Sequence, residues 1–266
     1  MTGEPCRIAM WSGPRNLSTA LMYAFGNRSD CACWDEPFYA FYLNQSAIDH
    51  PLKDKIIAAG ETDFGRVVER CLGPSPGGRP VFYQKHMTHH MLPGFDRSWA
   101  LGLANAFLIR SPERVLASYA RKRDSVTLAD IGFVQQWEIF DMAADRLGAA
   151  PPVVDADDIL ADPRAALGRL CGSLGIPFSD DMLQWPAGPR SYDGVWAPHW
   201  YGSVWRSTGF SAPPAEAPEL PENLARIADA ARPCYERMRM HSLVARPEEL
   251  SSRRRSSVPS PAGRRS

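Results

Sequence analysis

Residues 8–11 form a short apolar run cut off by Ser12-Gly13-Pro14, the pattern of a buried strand that stops abruptly. From about Ser18 the period changes. Leu17, Leu21 and Phe25 recur every four residues, which lays one apolar face of a helix against a sheet, and Gly26-Asn27 supplies the stop. Apolar runs at 31–34, 80–86, 105–110 and 152–155 predict further strands. Between them, Ser111-Pro112-Glu113 opens a helix with a capping hydroxyl, a proline at the first helical position and an early carboxylate. Arg121, Lys122 and Arg123 close that helix and match its macrodipole. The stripe Phe133, Trp137, Phe140, Ala144, Leu147 predicts a helix over 130–147, with Asp130 as cap and Gly148 as stop. Asp162-Pro163 caps another, whose Ala166, Leu167, Leu170, Cys171 and Leu174 face inward as far as Gly175. A last amphipathic helix runs over 222–231, with another turn or two over 233–240. Strands alternating with helices predict an α/β fold with a central, mainly parallel sheet flanked by helices.

Three segments break the alternation. Residues 44–78 carry mixed polar helix signals and end in the loop Gly73-Pro74-Ser75-Pro76-Gly77-Gly78. Residues 185–210 form a long aromatic stretch containing Trp185, Trp196, Trp200 and Trp205, which argues against disorder and reads as a lid over a ligand. Residues 246–266 turn to Arg, Ser and Pro, the composition of a disordered basic tail behind one domain of residues 1–245.

Composition narrows the function. A chain of 266 residues with 44% hydrophobic content can bury a sizeable core. Thirty basic residues balance thirty acidic ones, so no overall field recruits nucleic acid or a membrane surface and any anion site must be local. Neither a charged-then-apolar leader nor a run of eighteen apolar residues is found, so a cytoplasmic protein is expected. Six scattered cysteines form no disulfide framework, and the close pair Cys31-x-Cys33 has no partner at zinc spacing, so reduced thiols are expected. His86, His89 and His90 crowd one strand end without a carboxylate or Cys at helical ligand spacing, and no metal is expected there.

The local anion site is the loop after the first strand. Arg15, Asn16, Leu17, Ser18 and Thr19 place a cation and two hydroxyls beside the N–H groups that a helix N-terminus leaves unpaired. A nucleoside-triphosphate loop would carry a second Gly followed by Lys, and both are missing. A second site follows the strand at 105–110, where Arg110 ends the strand and Ser118 lies eight residues on, in the next helix, so that the two can converge. Asp35-Glu36-Pro37 puts two carboxylates at another strand end, either to cap the next helix or to serve catalysis. Lys85-His86 ends the strand at 80–86, on the edge where open parallel sheets bind ligands.

In residue type and spacing, Pro14-Arg15-Asn16-Leu17-Ser18-Thr19 resembles the 5′-phosphosulfate loop of sulfotransferases, and Arg110 with Ser118 resembles their 3′-phosphate motif. With Asp35-Glu36-Pro37, Lys85-His86, Asp193-Gly194-Val195-Trp196-Ala197-Pro198 and Ser207-Thr208-Gly209-Phe210, the chain is similar to the sulfotransferase-like region of plant branched-chain aminotransferase-like proteins up to about residue 211. The aminotransferase part is not matched, so no pyridoxal phosphate is implied. The resemblance implies a three-layer P-loop-like fold, 3′-phosphoadenosine 5′-phosphosulfate as co-substrate, no metal, and a small-molecule acceptor. It implies that Arg15 to Thr19 hold the 5′-phosphosulfate, that Arg15 stabilises charge on the leaving phosphate, that Arg110 and Ser118 hold the 3′-phosphate, and that Arg206, Ser207, Thr208 and Gly209 close over the nucleotide. For the general base it points first to His86 and, by the pattern of bacterial carbohydrate sulfotransferases, to Glu36. Two alternatives stay open: a nucleotide or small-molecule kinase with an atypical P-loop, and a catalytically silent nucleotide-binding module.

Overall fold

A computed structural model describes residues 4–121, 125–212 and 218–244; the expected basic tail, Lys122 and Arg123 lie outside them. In chain order the elements are β1 (Cys6–Ser12), α1 (Ser18–Gly26), β2 (Cys31–Asp35), α2 (Tyr39–Gln45), α3 (Lys53–Ala59), α4 (Phe64–Leu72), β3 (Val81–Met87), β4 (Ala104–Ile109), α5 (Pro112–Tyr119), α6 (Leu128–Ile131), α7 (Phe133–Leu147), β5 (Val153–Asp155), α8 (Ala156–Ala161), α9 (Pro163–Ser173), α10 (Ala197–Trp200), α11 (Gly202–Trp205) and α12 (Glu222–Arg239). The sheet runs β2-β3-β1-β4-β5 with every pairing parallel. β1 therefore lies between β3 and β4, and its C-terminal end is a point where connections depart to either side, the crevice position for ligands in such sheets.

Alternation along β1 sorts the core into two layers. Ile8 and Met10 pack with Leu21 and Phe25 of α1 and with Ile159, Leu167 and Leu170 of α8 and α9. Ala9 and Trp11 face the other way, onto Phe38, Val67 of α4, Ile139 and Phe140 of α7 and Met238 of α12. Because both faces are covered, the strands read as continuous apolar runs rather than alternating ones. No described helix is long and apolar enough to cross a membrane.

The structure corrects several local expectations. The helix expected over 130–147 is two helices, because Gly132 adopts φ 71 between α6 and α7. Thr127, not Asp130, is the cap, and Asp130 returns the bond as the third residue of a capping box. A Cβ on Gly132 would sit 2.5 Å from Thr88 Oγ1, so the break also lets α6 approach the end of β3. Ser111 precedes α5 without a side-chain cap bond, and the helix stops at Tyr119, leaving Arg121 beyond it. The aromatic stretch contains α10 and α11 and is tied down by a bridge between Gln184 and Gly209. Asp155 starts α8, which the sequence pattern did not reveal, by accepting from the Asp157 N–H at 2.9 Å.

Candidate functional site

The loop from β1 to α1 turns in a confined space. A Cβ on Gly13 would lie 2.4 Å from the Ile131 carbonyl oxygen, so only glycine permits this approach to α6. Arg15 (φ 62) and Leu17 (φ 71) both adopt left-handed backbone, which non-glycine residues rarely do outside sites that need it. Asn16 is buried and its Nδ2 donates to the Leu108 carbonyl at 3.4 Å, strapping the loop to β4. Leu17 gives α1 no side-chain cap. The first backbone bond of the helix runs from the Leu21 N–H to the Leu17 carbonyl at 3.0 Å, so the N–H groups of Ser18, Thr19 and Ala20 precede the ladder. These residues line a cavity of about 470 Å³, a size suited to a small ligand.

Cations gather at this end. Arg110, just past β4, donates from Nη1 to the Arg15 carbonyl at 3.0 Å, while its buried Nε has no partner among the described residues. Arg15 donates from Nε to Ser118 Oγ at 3.0 Å. Arg121 joins them on the cavity wall. The two motifs that lie about a hundred residues apart in the chain thus meet side chain to side chain. Burial lowers the Arg15 guanidinium pKa from its usual value, and the charges of Arg121 and Arg110 lower it further. Burial also lowers Arg110, with Asp157 opposing and Arg114 adding to the effect. Desolvated like charges with an unused donor form a site that an anion would complete.

Carboxylates gather at the other end. Asp35 and Lys85 are paired positions of β2 and β3, so their side chains leave adjacent strand ends on the same face. Glu36 follows at φ 45, its N–H bonded to the Lys85 carbonyl at 3.0 Å. Lys85 Nζ donates to Asp35 Oδ1 at 2.9 Å, Glu36 Oε1 at 2.5 Å and Tyr201 Oη at 2.7 Å. Tyr201 comes from the aromatic stretch and donates in turn to Asp35 Oδ2 at 2.7 Å. Burial raises the Glu36 carboxyl above its usual range; Lys85 opposes this and Asp35 adds to it. Burial alone would lower the Lys85 ammonium, but Asp35 and Glu36 outweigh it and raise the group.

The remaining expected residues divide. Ser207 and Gly209 line the cavity; Arg206 and Thr208 do not. Ser207 Oγ accepts from Trp185 Nε1 at 3.3 Å and donates to the Val204 carbonyl at 2.7 Å, and the Thr208 carbonyl accepts from the Trp185 N–H, so this segment folds on itself. His86 is not brought to the site. Lys85 takes the cavity face of β3, so the next residue points through the sheet, where His86 stacks on Trp11 at 4.6 Å and packs against Phe38 and Trp99. Its Nε2–H donates to Gln84 Oε1 at 3.2 Å, Nδ1 has no partner, and burial pushes its pKa down to about 3.

The sequence shows the members of this network but not the network itself. Asp35, Glu36 and Lys85 were visible at strand ends, and the parallel pairing of the second and third strands was the signal that would have joined them. Tyr201 lies 166 residues from Asp35, and no local pattern announced it. Arg121 stands in the sequence only as a helix-end charge.

A family model described as a sulfotransferase domain matches residues 6–242. Branched-chain-amino-acid aminotransferase-like protein 2 of Arabidopsis thaliana is 35% identical over 234 residues, which is 88% of this chain and 41% of that protein. The chain thus spans about two fifths of the length of that curated relative. Among solved structures, a sulfotransferase domain from the curacin biosynthetic pathway superposes with a TM-score of 0.52 at 17% identity, covering 86% of this chain and 98% of that one. A sulfotransferase from Alicyclobacillus acidocaldarius superposes with a TM-score of 0.56 at 11% identity, covering 93% and 99%. These two establish likeness of fold.

Proposed function

The chain belongs to the sulfotransferase domain family, and from that premise we propose that it transfers a sulfuryl group from 3′-phosphoadenosine 5′-phosphosulfate to a hydroxyl or amine of a small acceptor. The observation that carries the reading is the polarity of one cavity. Arg15, Arg110, Arg121 and the N-terminus of α1 gather at one end, and a buried carboxyl, Glu36, lines the same space. The unpartnered Arg110 Nε is the donor a bound phosphate would occupy.

Each residue then has a task. Ser18, Thr19 and the first N–H groups of α1 bind the 5′-phosphosulfate, with Arg15 neutralising charge that builds on the leaving phosphate. Arg110 and Ser118 hold the 3′-phosphate, and Ser207 and Gly209 cover the nucleotide. Sulfuryl transfer, like phosphoryl transfer, depends mainly on in-line positioning and on stabilising charge. Glu36 takes the proton of the acceptor as the new oxygen–sulfur or nitrogen–sulfur bond forms and the bond to the leaving phosphate breaks. We assign the base to Glu36 rather than His86 because only Glu36 lines the cavity. All six cysteines are free, which suits a reducing compartment, and we place the reaction in the cytoplasm.

Calorimetric titration with adenosine 3′,5′-bisphosphate, repeated with ADP and Mg²⁺, tests the reading. Micromolar binding of the bisphosphate alone is expected. Preference for ADP with Mg²⁺ would replace the sulfotransferase reading with a kinase.

A further inference from the structure

Lys85 stands at the end of a strand beside the cavity, where a lysine would ordinarily be offered to a sulfate or phosphate oxygen. Its geometry argues otherwise. The side chain is 2% exposed, and an ammonium has three N–H donors. All three are engaged, on Asp35 Oδ1, Glu36 Oε1 and Tyr201 Oη, at 2.9, 2.5 and 2.7 Å. None remains for a ligand.

The same bonds fix the two oxygens of Glu36 differently. Oε1 is held by Lys85, whereas Oε2 accepts no hydrogen bond among the described residues, and the His90 Nε2 stands 3.9 Å from it. Tyr201 completes the clamp. Its hydroxyl accepts from Lys85 and from Trp196 Nε1 at 3.1 Å, and donates to Asp35, whose Oδ2 also lies 3.4 Å from the Gly194 N–H. The groups that face Glu36 are thus Asp35 from β2, Lys85 from β3, His90 after β3, Tyr39 from α2 and Tyr201 from the aromatic stretch.

We propose that Lys85 and Tyr201 are positioning residues that lock Glu36 Oε1 and leave Oε2 aimed at the acceptor, and that Lys85 does not bind the transferred group. The assignment rests on the sulfuryl-transfer reading of the cavity. It differs from what a strand-end lysine suggests: the cation serves the base, and its loss would be felt in turnover rather than in donor binding.

The test uses the full chain with glutamate labelled at the side-chain carboxyl carbon, titrated by NMR without ligand, the Glu36 signal being identified by its loss in Glu36→Gln. Lys85→Met is expected to move the Glu36 midpoint upward, because an adjacent cation is lost, and Tyr201→Phe to move it upward by less. Turnover of the acceptor that serves the unaltered protein is expected to fall ~10²-fold in Lys85→Met, the scale of a base misplaced by about 1 Å, while affinity for adenosine 3′,5′-bisphosphate is kept. Lys85→Met leaves buried carboxylates without their cation; should it fail to fold, Tyr201→Phe, which removes one oxygen and no charge, carries the test. A Glu36 midpoint that stays in place in every folded variant overturns the assignment. So does a loss of affinity for the sulfated donor as large as the loss of turnover. The ligand-free titration decides the clamp even if the bisphosphate fails to bind, so the two readings fail separately.

Discussion

At the Arg15 end of the cavity, three guanidinium groups gather with no carboxylate in ion-pair contact among the described residues, and one buried donor is unused. At the Glu36 end, one ammonium and two carboxylates are already bonded to one another and to a tyrosine. Both ends bury charge, but only the second is internally compensated. An uncompensated cluster lowers the protein's own stability and recovers it when an anion arrives, so ligand affinity is concentrated there. A compensated cluster gains little from a ligand. Its worth lies in holding one carboxylate oxygen where a proton must be taken, which appears in rate. The two ends should therefore separate in experiment, one in binding and one in turnover.

The largest effect is expected at the compensated end. Glu36→Gln keeps the shape of the side chain and an oxygen for Lys85 but removes the base, so turnover should fall by ~10²–10⁴-fold with bisphosphate affinity intact. Steady-state rates and calorimetry on the same preparation check both halves, and an equal loss in both would erase the distinction between the ends. Arg110→Ala should do the reverse. Losing a charge-assisted hydrogen bond of ~1.5–3 kcal/mol weakens the bisphosphate by about 10- to 150-fold. Binding of the analogue with a free 3′-hydroxyl should change far less, and matching losses for the two ligands would sink the 3′-phosphate assignment. Arg121 sits on the exposed rim, where water and salt screen it, so Arg121→Ala should weaken the bisphosphate only a few-fold and make binding less sensitive to ionic strength.

The two ends were unequally legible in the sequence. The anion end is built from short-range units: a strand, a loop and a helix start supply Arg15 to Thr19, and another strand and helix supply Arg110 and Ser118, so local spacing picks out each set, while the bond from Arg15 to Ser118 that joins them belongs to the fold. The carboxyl end depends on strand order. Lys85 and His86 are neighbours in sequence, yet one faces the cavity and the other the opposite layer, and a strand buried on both faces carries no polar alternation to say which is which. That is why the sequence points to His86 ahead of Glu36. Gly132 poses a similar problem: it sits between two helical stretches at nearly continuous apolar spacing, and the left-handed φ that breaks them goes with a tertiary contact, the bond from Thr88 Oγ1 to its carbonyl at 2.9 Å. Tyr201 was readable as part of an aromatic lid but not as a partner of Asp35.

The smallest catalytic effect is expected at His86, whose burial shows in the pH dependence of stability while turnover separates the two readings of the base. Burial holds its pKa at about 3, and that of His90 well below the usual value, so both rings are neutral in the folded chain at neutral pH. An unfolded histidine takes a proton below ~6.5. Between that point and about 3 the unfolded state therefore binds more protons than the folded state. Stability is complete above the unfolded value and is lost as pH falls through this window, by up to ~1.4 kcal/mol per pH unit for each such group. His86→Phe keeps a ring against Trp11 and removes one titrating group, so the dependence of the melting temperature on pH should flatten below neutrality. Turnover at neutral pH should stay where it was. A hundredfold fall in turnover with donor affinity retained would return the base to His86 and require β3 to present its other face during catalysis.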